Sequence, residues 1–378
     1  MKSLRGSWIF LEGLFFIFAL YLGNVAAMVM FLLLLFIPLG SAVVNLLIRN
    51  HLEIQVEAGI SVQKGAQGTF LLQLQNQSVL PMICMRCLVQ MENRLNGEIC
   101  EKNVFTWLKP KETRQFLLQT GSHYCGRIQI SVPYVQLYDY FGVLGIKKRC
   151  DVTGTVTVLP ETFDMELHLV PAPNSADDSE IYSQERPGMD LSEIYQIREY
   201  VAGDSLRQIH WKLSNKFDRL IVRDPSLPIT RNVLIFWERT GESDNPEIVD
   251  AQAEVLVSLC RNLLEQSIQF TVGWNDTKSN QCIFLAIHDM DEFLGMLPRI
   301  LQAKGAKEGI SGAELLIQTE ENYFCGHLIY LAKEPQSSVM ELKQYGKVSV
   351  LLCGKTPFED ALFFDEKNYK EQFTQIEL

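Results

Sequence analysis

The amino-acid sequence predicts a multidomain α+β protein: an N-terminal transmembrane helical hairpin, a β-sandwich, and an α/β domain. Three patterns indicate this. The first fifty residues are apolar and almost uncharged, the next hundred alternate apolar with polar side chains, and the last part alternates strand-like with helix-like segments. The predicted divisions are a hairpin (1–50), an immunoglobulin-like sandwich (51–160), a linker with a sequence motif (161–230) and the α/β domain (231–378).

The apolar segment at the start of the chain has the length of two membrane helices. Between Gly6 and Ile48 the only charged residue is Glu12, and a single crossing takes about 17–25 residues. The dipeptide Gly23-Asn24 divides the segment into two spans. A cleavable signal peptide ending near Ala27 is the alternative, and it would still leave Met28–Ile48 as one apolar span.

The basic residues around the hairpin predict its orientation. Lys2 and Arg5 precede it, Arg49 follows it, and the turn between the spans has no basic residue. The positive-inside rule therefore places both termini and the soluble body in the cytoplasm. Nine irregularly spaced cysteines fit a reducing compartment better than a disulfide framework.

Net charge argues against nucleic acid as a partner. Residues 1–50 hold three of the 34 basic and one of the 45 acidic residues, so the remainder carries about −13. Phosphate groups repel such a surface.

Short alternating segments separated by turn signals predict the sandwich. The predicted strands are His51–Val56, Thr69–Gln75, Ile83–Met91, Val104–Leu108, Gln115–Gln119, Gly126–Val132 and Gly154–Leu159. We see no catalytic cluster among them. The segment Val170–Gly188 is rich in Pro, Asn, Asp and Ser and predicts an exposed linker or mobile loop.

The C-terminal part has the rhythm of an α/β layer. Asn232–Trp237 is a predicted buried strand, and Asn245 with Pro246 predicts the start of an amphipathic helix. A helix over Asp289–Lys304 and further strands follow, so we expect a largely parallel sheet. These further strands are predicted at Ile268–Trp274, Cys282–Ile287, His327–Ala332, Lys347–Leu352 and Ala361–Phe364.

The segment Tyr195–Asp224 carries a recognisable motif. Its residues are Arg198, Tyr200, Gly203, Asp204, Arg207, Ile209, His210, Trp211, Leu220, Val222 and Arg223. They resemble the signature of the domain of unknown function 58 family, and Asp139-Tyr140-Phe141-Gly142 is similar to a turn in that family's β-domain. The resemblance is specific over about residues 155–240.

This resemblance implies a bacterial or archaeal protein with a membrane hairpin, a β-domain and a C-terminal domain like von Willebrand factor type A. It implies no enzymatic activity and no cofactor. Such proteins look like partners of MoxR-type AAA+ ATPases and of membrane proteins with transglutaminase-like domains. A non-enzymatic membrane-anchored scaffold is therefore the expected function.

Two interpretations of the motif remain open. A helix predicted over Ser205–Lys212 would place Arg207, His210 and Trp211 on one face. That face either packs internally, with Asp204, Arg207 and Arg223 as an ion-pair lattice, or forms a docking site for an ATPase or a neighbouring subunit.

A degenerate metal site is the second functional hypothesis. In von Willebrand A domains, Asp-x-Ser-x-Ser often binds Mg²⁺ after the first strand. Here Glu238, Thr240 and Glu242 offer oxygen ligands, but the leading Asp is absent and Arg239 adds an opposing charge. The metal site is either altered, which would leave a metal-dependent binding module, or lost; we favour loss.

Two further hypotheses are weaker. Gly203-Asp204-Ser205-Leu206 resembles a lipase-esterase nucleophile block, yet no later Asp has a His three residues on to act as its base. Cys84 and Cys87 have zinc-knuckle spacing without a second pair, so buried thiols are expected. The sequence has no Gly-rich phosphate loop, and any ATP hydrolysis would belong to a partner.

Overall fold

A computed structural model describes most of the chain. The described residues are 2–22, 25–139, 142–169, 181–199, 209–217, 219–229, 233–241, 245–318, 326–344, 346–354 and 356–378. They form two compact units: the first comprises residues 1–161 with 298–302, and the second comprises residues 162–297 with 303–378. The boundaries between the four predicted segments stay a prediction.

Two consecutive helices open the chain, α1 (Lys2–Leu22) and α2 (Val25–Ile48), and a short 3₁₀ turn (Arg49–His51) follows. Phe16 of α1 contacts Phe31 of α2, with their ring centroids 5.2 Å apart. Met28–His51 is long and apolar enough to cross a membrane, with a mean hydropathy of 2.5. The apolar part of α1, Gly6–Tyr21, is shorter.

The predicted β-sandwich is confirmed. Its strands are β1 (Leu52–Glu57), β2 (Ser61–Gln63), β3 (Gly68–Asn76), β4 (Met82–Asn93), β5 (Ile99–Leu108), β6 (Thr113–Thr120), β7 (Gly126–Tyr138) and β8 (Gly145–Leu159). One sheet has the order β1-β3-β6 and the other β2-β8-β7-β4-β5. The pairing is antiparallel except between β2 and β8.

Alternation along the strands builds the core of the sandwich. In β3, Phe70, Leu72 and Leu74 are fully buried, while Leu71 and Gln73 between them are half-buried. They pack in one apolar cluster with the inward residues of the other sheet. The two sheets therefore share a single core, as the period of two in the sequence requires.

The second unit contains the remaining elements. Its strands are β9 (Glu166–His168), β10 (Ile181–Glu199), β11 (Ile221–Ile229), β12 (Val233–Trp237), β13 (Phe270–Asp276), β14 (Gln281–Ile287), β15 (His327–Ala332), β16 (Lys347–Leu352), β17 (Ala361–Phe363) and β18 (Gln375–Glu377). Its helices are α3 (Trp211–Phe217), α4 (Pro246–Glu265), α5 (Met290–Ile300), α6 (Gly312–Gln318), α7 (Val339–Leu342) and α8 (Tyr369–Gln372).

A six-stranded sheet with the order β14-β13-β12-β15-β16-β17 organises this unit. Every pairing is parallel except that of β13 with β14. The strand β12 is central and all five of its residues are buried. The predicted α+β architecture, with a largely parallel sheet, is confirmed; its likeness to a von Willebrand A domain stays a prediction.

The longest helix of the unit begins where the sequence predicted. The side chain of Asn245 accepts a hydrogen bond from the Glu247 N–H, and Pro246 occupies the first helical turn. These residues satisfy or remove N–H groups that the helix itself cannot bond.

One predicted segment differs in type, and one predicted helix is present but shorter than expected. Residues 181–188 belong to β10, paired with β11, instead of a linker; residues 170–180 lie outside the described part. The helix predicted over Asp289–Lys304 ends at Ile300. Pro298, which has no N–H to donate, lies within the last turn of this helix and weakens it there.

Candidate functional site

The best-defined polar cluster of the second unit lies at the carboxyl end of β12. Along the chain, β13 is added on one side of β12 and β15 on the other. In open α/β sheets, this reversal of strand order opens a crevice at the carboxyl ends of the strands, where ligands usually bind. The residue at this position is Glu238.

The carboxylate of Glu238 is buried and bonded by the protein itself. One oxygen accepts from the Gly312 N–H at 2.7 Å and from the Tyr330 hydroxyl at 2.5 Å. The other accepts from the Thr240 N–H at 2.9 Å. A buried charge requires such donors, so Glu238 joins β12 to β15 and to the start of α6.

Alternating residues at the end of β12 point to opposite faces of the sheet. Phe236, which stacks on Tyr330 with ring centroids 5.9 Å apart, lies on the same face as Glu238. On the other face, the Arg239 guanidinium lies 4.0 Å from the Trp237 ring centroid, and its Nε donates to the Ala303 carbonyl at 2.9 Å. Arg239 is 0% exposed. Its charge is therefore held away from the face that carries Glu238.

The hydroxyl of Thr240 is also occupied. It donates to the Ile310 carbonyl at 3.0 Å and accepts from the Asn275 side-chain amide at 2.7 Å. The carbonyl oxygen of that amide accepts from the Arg239 N–H at 2.6 Å. These bonds fix the loop after β12 against β13.

Burial and the Glu238 charge act on two neighbouring groups. Desolvation, followed by the nearby Glu238 carboxylate, holds the pKa of Tyr330 well above its usual value. The same two causes raise the pKa of the Cys282 thiol to about 12. Both groups stay protonated at neutral pH, and Tyr330 remains a hydrogen-bond donor to Glu238.

The structure brings together two of the three predicted metal ligands. Glu238 and Thr240 do lie together, while Glu242 is outside the described residues. Three hydrogen bonds from the protein already use most of the lone pairs of the Glu238 carboxylate, which leaves little of it for a cation. Within the described part of the chain, no three His, Cys, Asp or Glu residues are placed to share a metal ion. Loss of the metal site stays a prediction.

The motif residues that the structure describes lie on a strand pair and a short helix. Arg198 pairs with Val222, and Arg223 pairs with Ile197, in the ladder of β10 with β11. The sequence predicted a helix through Ile209, but Ile209 forms a β-bridge with Val222. The helix α3 starts only at Trp211.

His210 caps α3. The His210 ring accepts at Nδ1 from the Leu213 N–H at 3.4 Å. The backbone N–H of His210 donates to the Ile221 carbonyl at 2.8 Å. The buried Ser214 hydroxyl accepts from the Ile221 N–H at 2.9 Å. These bonds tie the helix to the start of β11. Because His210 precedes the helix, it does not share a helical face with Trp211.

Four motif residues lie outside the described part: Tyr200, Gly203, Asp204 and Arg207. The candidate nucleophile Ser205 also lies there. The ion-pair lattice and the docking face therefore both stay predictions.

Sequence reasoning missed Gly312, Tyr330 and Asn275 as parts of the Glu238 cluster. Gly312 allows close contact, since an added Cβ would lie 2.4 Å from the Phe236 ring and 3.0 Å from the Glu238 carboxylate. These residues come from strands and a helix far apart in sequence, and only the fold brings them together.

Cys84 and Cys87, the two cysteines with zinc-knuckle spacing, lie on β4 and differ in burial. Cys87 is buried and Cys84 is half-buried. Burial, with a contribution from nearby Cys150, raises the pKa of Cys87 to about 12. A thiol held protonated is a poor metal ligand.

The fold and these clusters define a class: an α+β multidomain protein with a β-sandwich, a mostly parallel sheet and an apolar N-terminal helix of membrane-spanning length. No family profile and no curated protein matches the sequence.

Several solved structures resemble parts of the chain. The CARDB domain of the PF1109 protein from Pyrococcus furiosus, determined with di-metal ions, is 16% identical and covers 29% of this chain and 87% of its own, with a TM-score of 0.22. The ASH/PapD-like domain of human CEP192 is 10% identical over 29% and 87%, with a TM-score of 0.21. A cohesin–dockerin complex from Clostridium thermocellum is 10% identical over 29% and 100%, with a TM-score of 0.19.

Proposed function

We propose that this chain is a non-enzymatic scaffold anchored in a membrane by its N-terminal helical hairpin. It holds the sandwich and the α/β unit on the cytoplasmic side. There it works with a MoxR-type AAA+ ATPase and a membrane protein with a transglutaminase-like domain. The family resemblance of the motif residues supports these partners, and the structure of the first unit supports the anchor.

The observation that carries the proposal is the way α2 ends. Ile48 is 5% exposed and belongs to the core cluster of the sandwich. One turn earlier, the buried Asn45 side chain donates to the Tyr138 carbonyl at 2.9 Å. A signal peptide cut near Ala27 would leave Met28–Ile48 attached, because these residues follow the cut, and the last turn of the helix would still pack on the sandwich.

The α1 helix supports the two-pass arrangement. It precedes α2 directly and contacts it, as the Phe16–Phe31 pair illustrates. Two adjacent antiparallel spans with basic residues only at their outer ends would leave both termini on one side, and the positive-inside rule makes that side the cytoplasm.

The Glu238 cluster supports a scaffold over a metal-dependent binding module. Its carboxylate, its neighbouring hydroxyl and the adjacent guanidinium already bond to the protein. Such a cluster stabilises the carboxyl edge of the sheet, and its groups serve the fold rather than an open coordination site.

The experiment that tests the partner assignment is affinity capture from detergent-solubilised native membranes. Wild type is expected to retain a MoxR-type ATPase, and the Arg207→Ala/Trp211→Ala variant to retain about tenfold less, as for loss of an interface anchor. Trp107→Ala/Arg114→Ala is the matched control, since it removes a stacked Trp–Arg pair from the sandwich. Equal capture by all three folded proteins would contradict docking through the motif.

A further inference from the structure

The last two turns of α2 have two different sides. Asn45 and Ile48 face the sandwich, whereas Val43, Leu46 and Leu47 are exposed. A helix side of this kind faces hydrocarbon when the helix lies in a membrane. The sandwich beside these turns must then sit at the membrane surface.

The loop between β3 and β4 presents two more exposed apolar side chains. Val79 is 77% exposed and Leu80 is 43% exposed. Asn76 and Ser78 hold this loop rigid. The Asn76 amide donates to the Leu80 carbonyl at 2.9 Å, and its oxygen accepts from the Ser78 N–H at 2.9 Å. The Ser78 hydroxyl donates to the same Leu80 carbonyl at 2.7 Å.

A cleft of about 200 Å³ joins this loop to α2. Ser41 and Val44 line it from the helix, and Leu80, Pro81 and Ile83 line it from the sandwich. Its surface is mainly apolar. Although Asn45 also lines the cleft, the exposed lining is mostly apolar, so the cleft suits hydrocarbon and continues the lipid-facing side of α2.

Basic residues lie close to the cleft in an otherwise acidic chain. Tyr138, which also lines the cleft, pairs with Gly145 at the start of β8. Lys147 and Arg149 follow two and four residues further on, the first about 7 Å along the strand, and both are exposed on the same face of β8. Arg49 begins the 3₁₀ turn that follows α2, four residues beyond Asn45. The chain carries a formal charge of −11, so this concentration of positive charge suits an anionic headgroup.

We propose that the cleft between α2 and the β3–β4 loop binds an anionic membrane phospholipid. Its acyl chain lies against Val44 and Leu80, and its headgroup reaches Arg49, Lys147 and Arg149. This inference rests on the proposed membrane anchor. The bound lipid fixes the sandwich at one height and orientation on the membrane surface.

The test places a photo-crosslinking amino acid, p-benzoylphenylalanine, at one of three positions in the full chain. Leu80 reports on the cleft, Leu47 on the lipid-facing side of α2, and Ile99 is the control. Ile99 is 55% exposed and pairs with Glu92, at the end of its sheet away from Met82. The proteins are reconstituted in vesicles of phosphatidylcholine and phosphatidylglycerol, irradiated, and analysed for lipid adducts by mass spectrometry.

The expected result is about tenfold more phospholipid adduct at Leu80 and at Leu47 than at Ile99, because hydrocarbon contact replaces water at the first two positions. Adduct at Leu47 with only the Ile99 level at Leu80 would overturn the lipid site and leave the anchor standing. Background adduct at all three positions would overturn both.

A separate variant tests whether the site prefers an anionic headgroup. Among adducts at Leu80, phosphatidylglycerol should exceed phosphatidylcholine. The Lys147→Gln/Arg149→Gln variant should reduce this preference by about fivefold for each charge removed. The control variant Lys278→Gln/Lys307→Gln removes two exposed charges from the other unit. It should leave the preference for phosphatidylglycerol unchanged. Equal amounts of both lipids in wild type would overturn the assignment of an anionic headgroup.

Discussion

Glu238 illustrates how a charge is kept inside the second unit. It is 3% exposed, and its two oxygens receive three hydrogen bonds from a hydroxyl and two backbone N–H groups. Hydrogen bonds to charged groups are stronger than neutral ones. Removing the charge should therefore matter more than removing a surface carboxylate.

The Glu238→Gln substitution tests this. The NH₂ group of the new glutamine would face the N–H and O–H groups that now donate to the carboxylate. We therefore expect the free energy of unfolding to fall by about 1–3 kcal/mol. Denaturant unfolding of the full-length protein in detergent measures the change. Glu308→Gln, an exposed carboxylate of the same unit, serves as the control with a change near zero. A stable Glu238→Gln variant would show that the carboxylate is not needed for the fold.

His327 predicts a dependence of stability on pH. Burial, followed by the charge of Lys347, lowers its pKa from 6.5 to about 4, and its Nε2 lies 2.8 Å from the Ser349 hydroxyl. Because the unfolded state binds the proton more tightly, stability is full above pH 6.5 and falls as the pH drops toward 4. The loss at pH 5 is on the order of 2 kcal/mol.

Unfolding of the full-length protein at pH 7.5 and pH 5 measures this loss. His327→Gln should flatten the dependence, whereas replacement of the exposed His123 by Gln should leave it as in wild type. An identical pH profile in His327→Gln would assign the acid sensitivity to other groups.

At the scale of elements, the sandwich strands were predictable from the sequence. Period-two burial in β3 and the capping residues Asn245 and Pro246 of α4 are local signals, and local signals determine local structure. Residues 181–188 were mispredicted because their Pro and polar residues indicate a loop, while pairing with the distant β11 places them in a strand. Nothing in the local sequence indicates that pairing.

The candidate site was predictable only in part. Glu238 and Thr240 could be found because polar residues that directly follow a buried strand lie at the edge of a sheet. Their partners Gly312 and Tyr330 lie more than seventy residues away. Spacing in the sequence therefore could not show that the protein itself occupies the carboxylate.

The junction of β12 with α6 gives the next prediction. Gly312→Ala would place a Cβ 2.4 Å from the Phe236 ring, and overpacking of this kind costs about 1–3 kcal/mol. Gly295→Ala is the matched control in α5, where nothing lies within 4 Å of the added Cβ. There we expect a gain of about 0.5–1 kcal/mol from helix propensity. Thermal unfolding of the full-length variants distinguishes the two, and equal effects would contradict the tight junction.

At the scale of the whole molecule, the proposed anchor would determine where every other surface acts. The core of the sandwich includes Ile48 of α2, so α2 and the sandwich form one folded body. In the proposed arrangement, a partner of the sandwich would approach within reach of the membrane surface.

The proposed cytoplasmic position of the sandwich can be tested with a native thiol. Cys100 is exposed on β5. We expect a membrane-impermeant maleimide to leave it unmodified in intact cells and to label it after permeabilisation. Cys100→Ser identifies its share of the signal. Labelling of intact cells that disappears in Cys100→Ser would place the sandwich outside.

The most direct measurement of the central claim is extraction of native membranes with alkaline carbonate, followed by ultracentrifugation and intact-mass analysis. The account predicts that the full-length chain, with residues 28–48 attached, stays in the membrane pellet and is released only by detergent. Recovery of the intact chain as a monomer in the detergent-free supernatant would contradict the anchor and every function proposed from it.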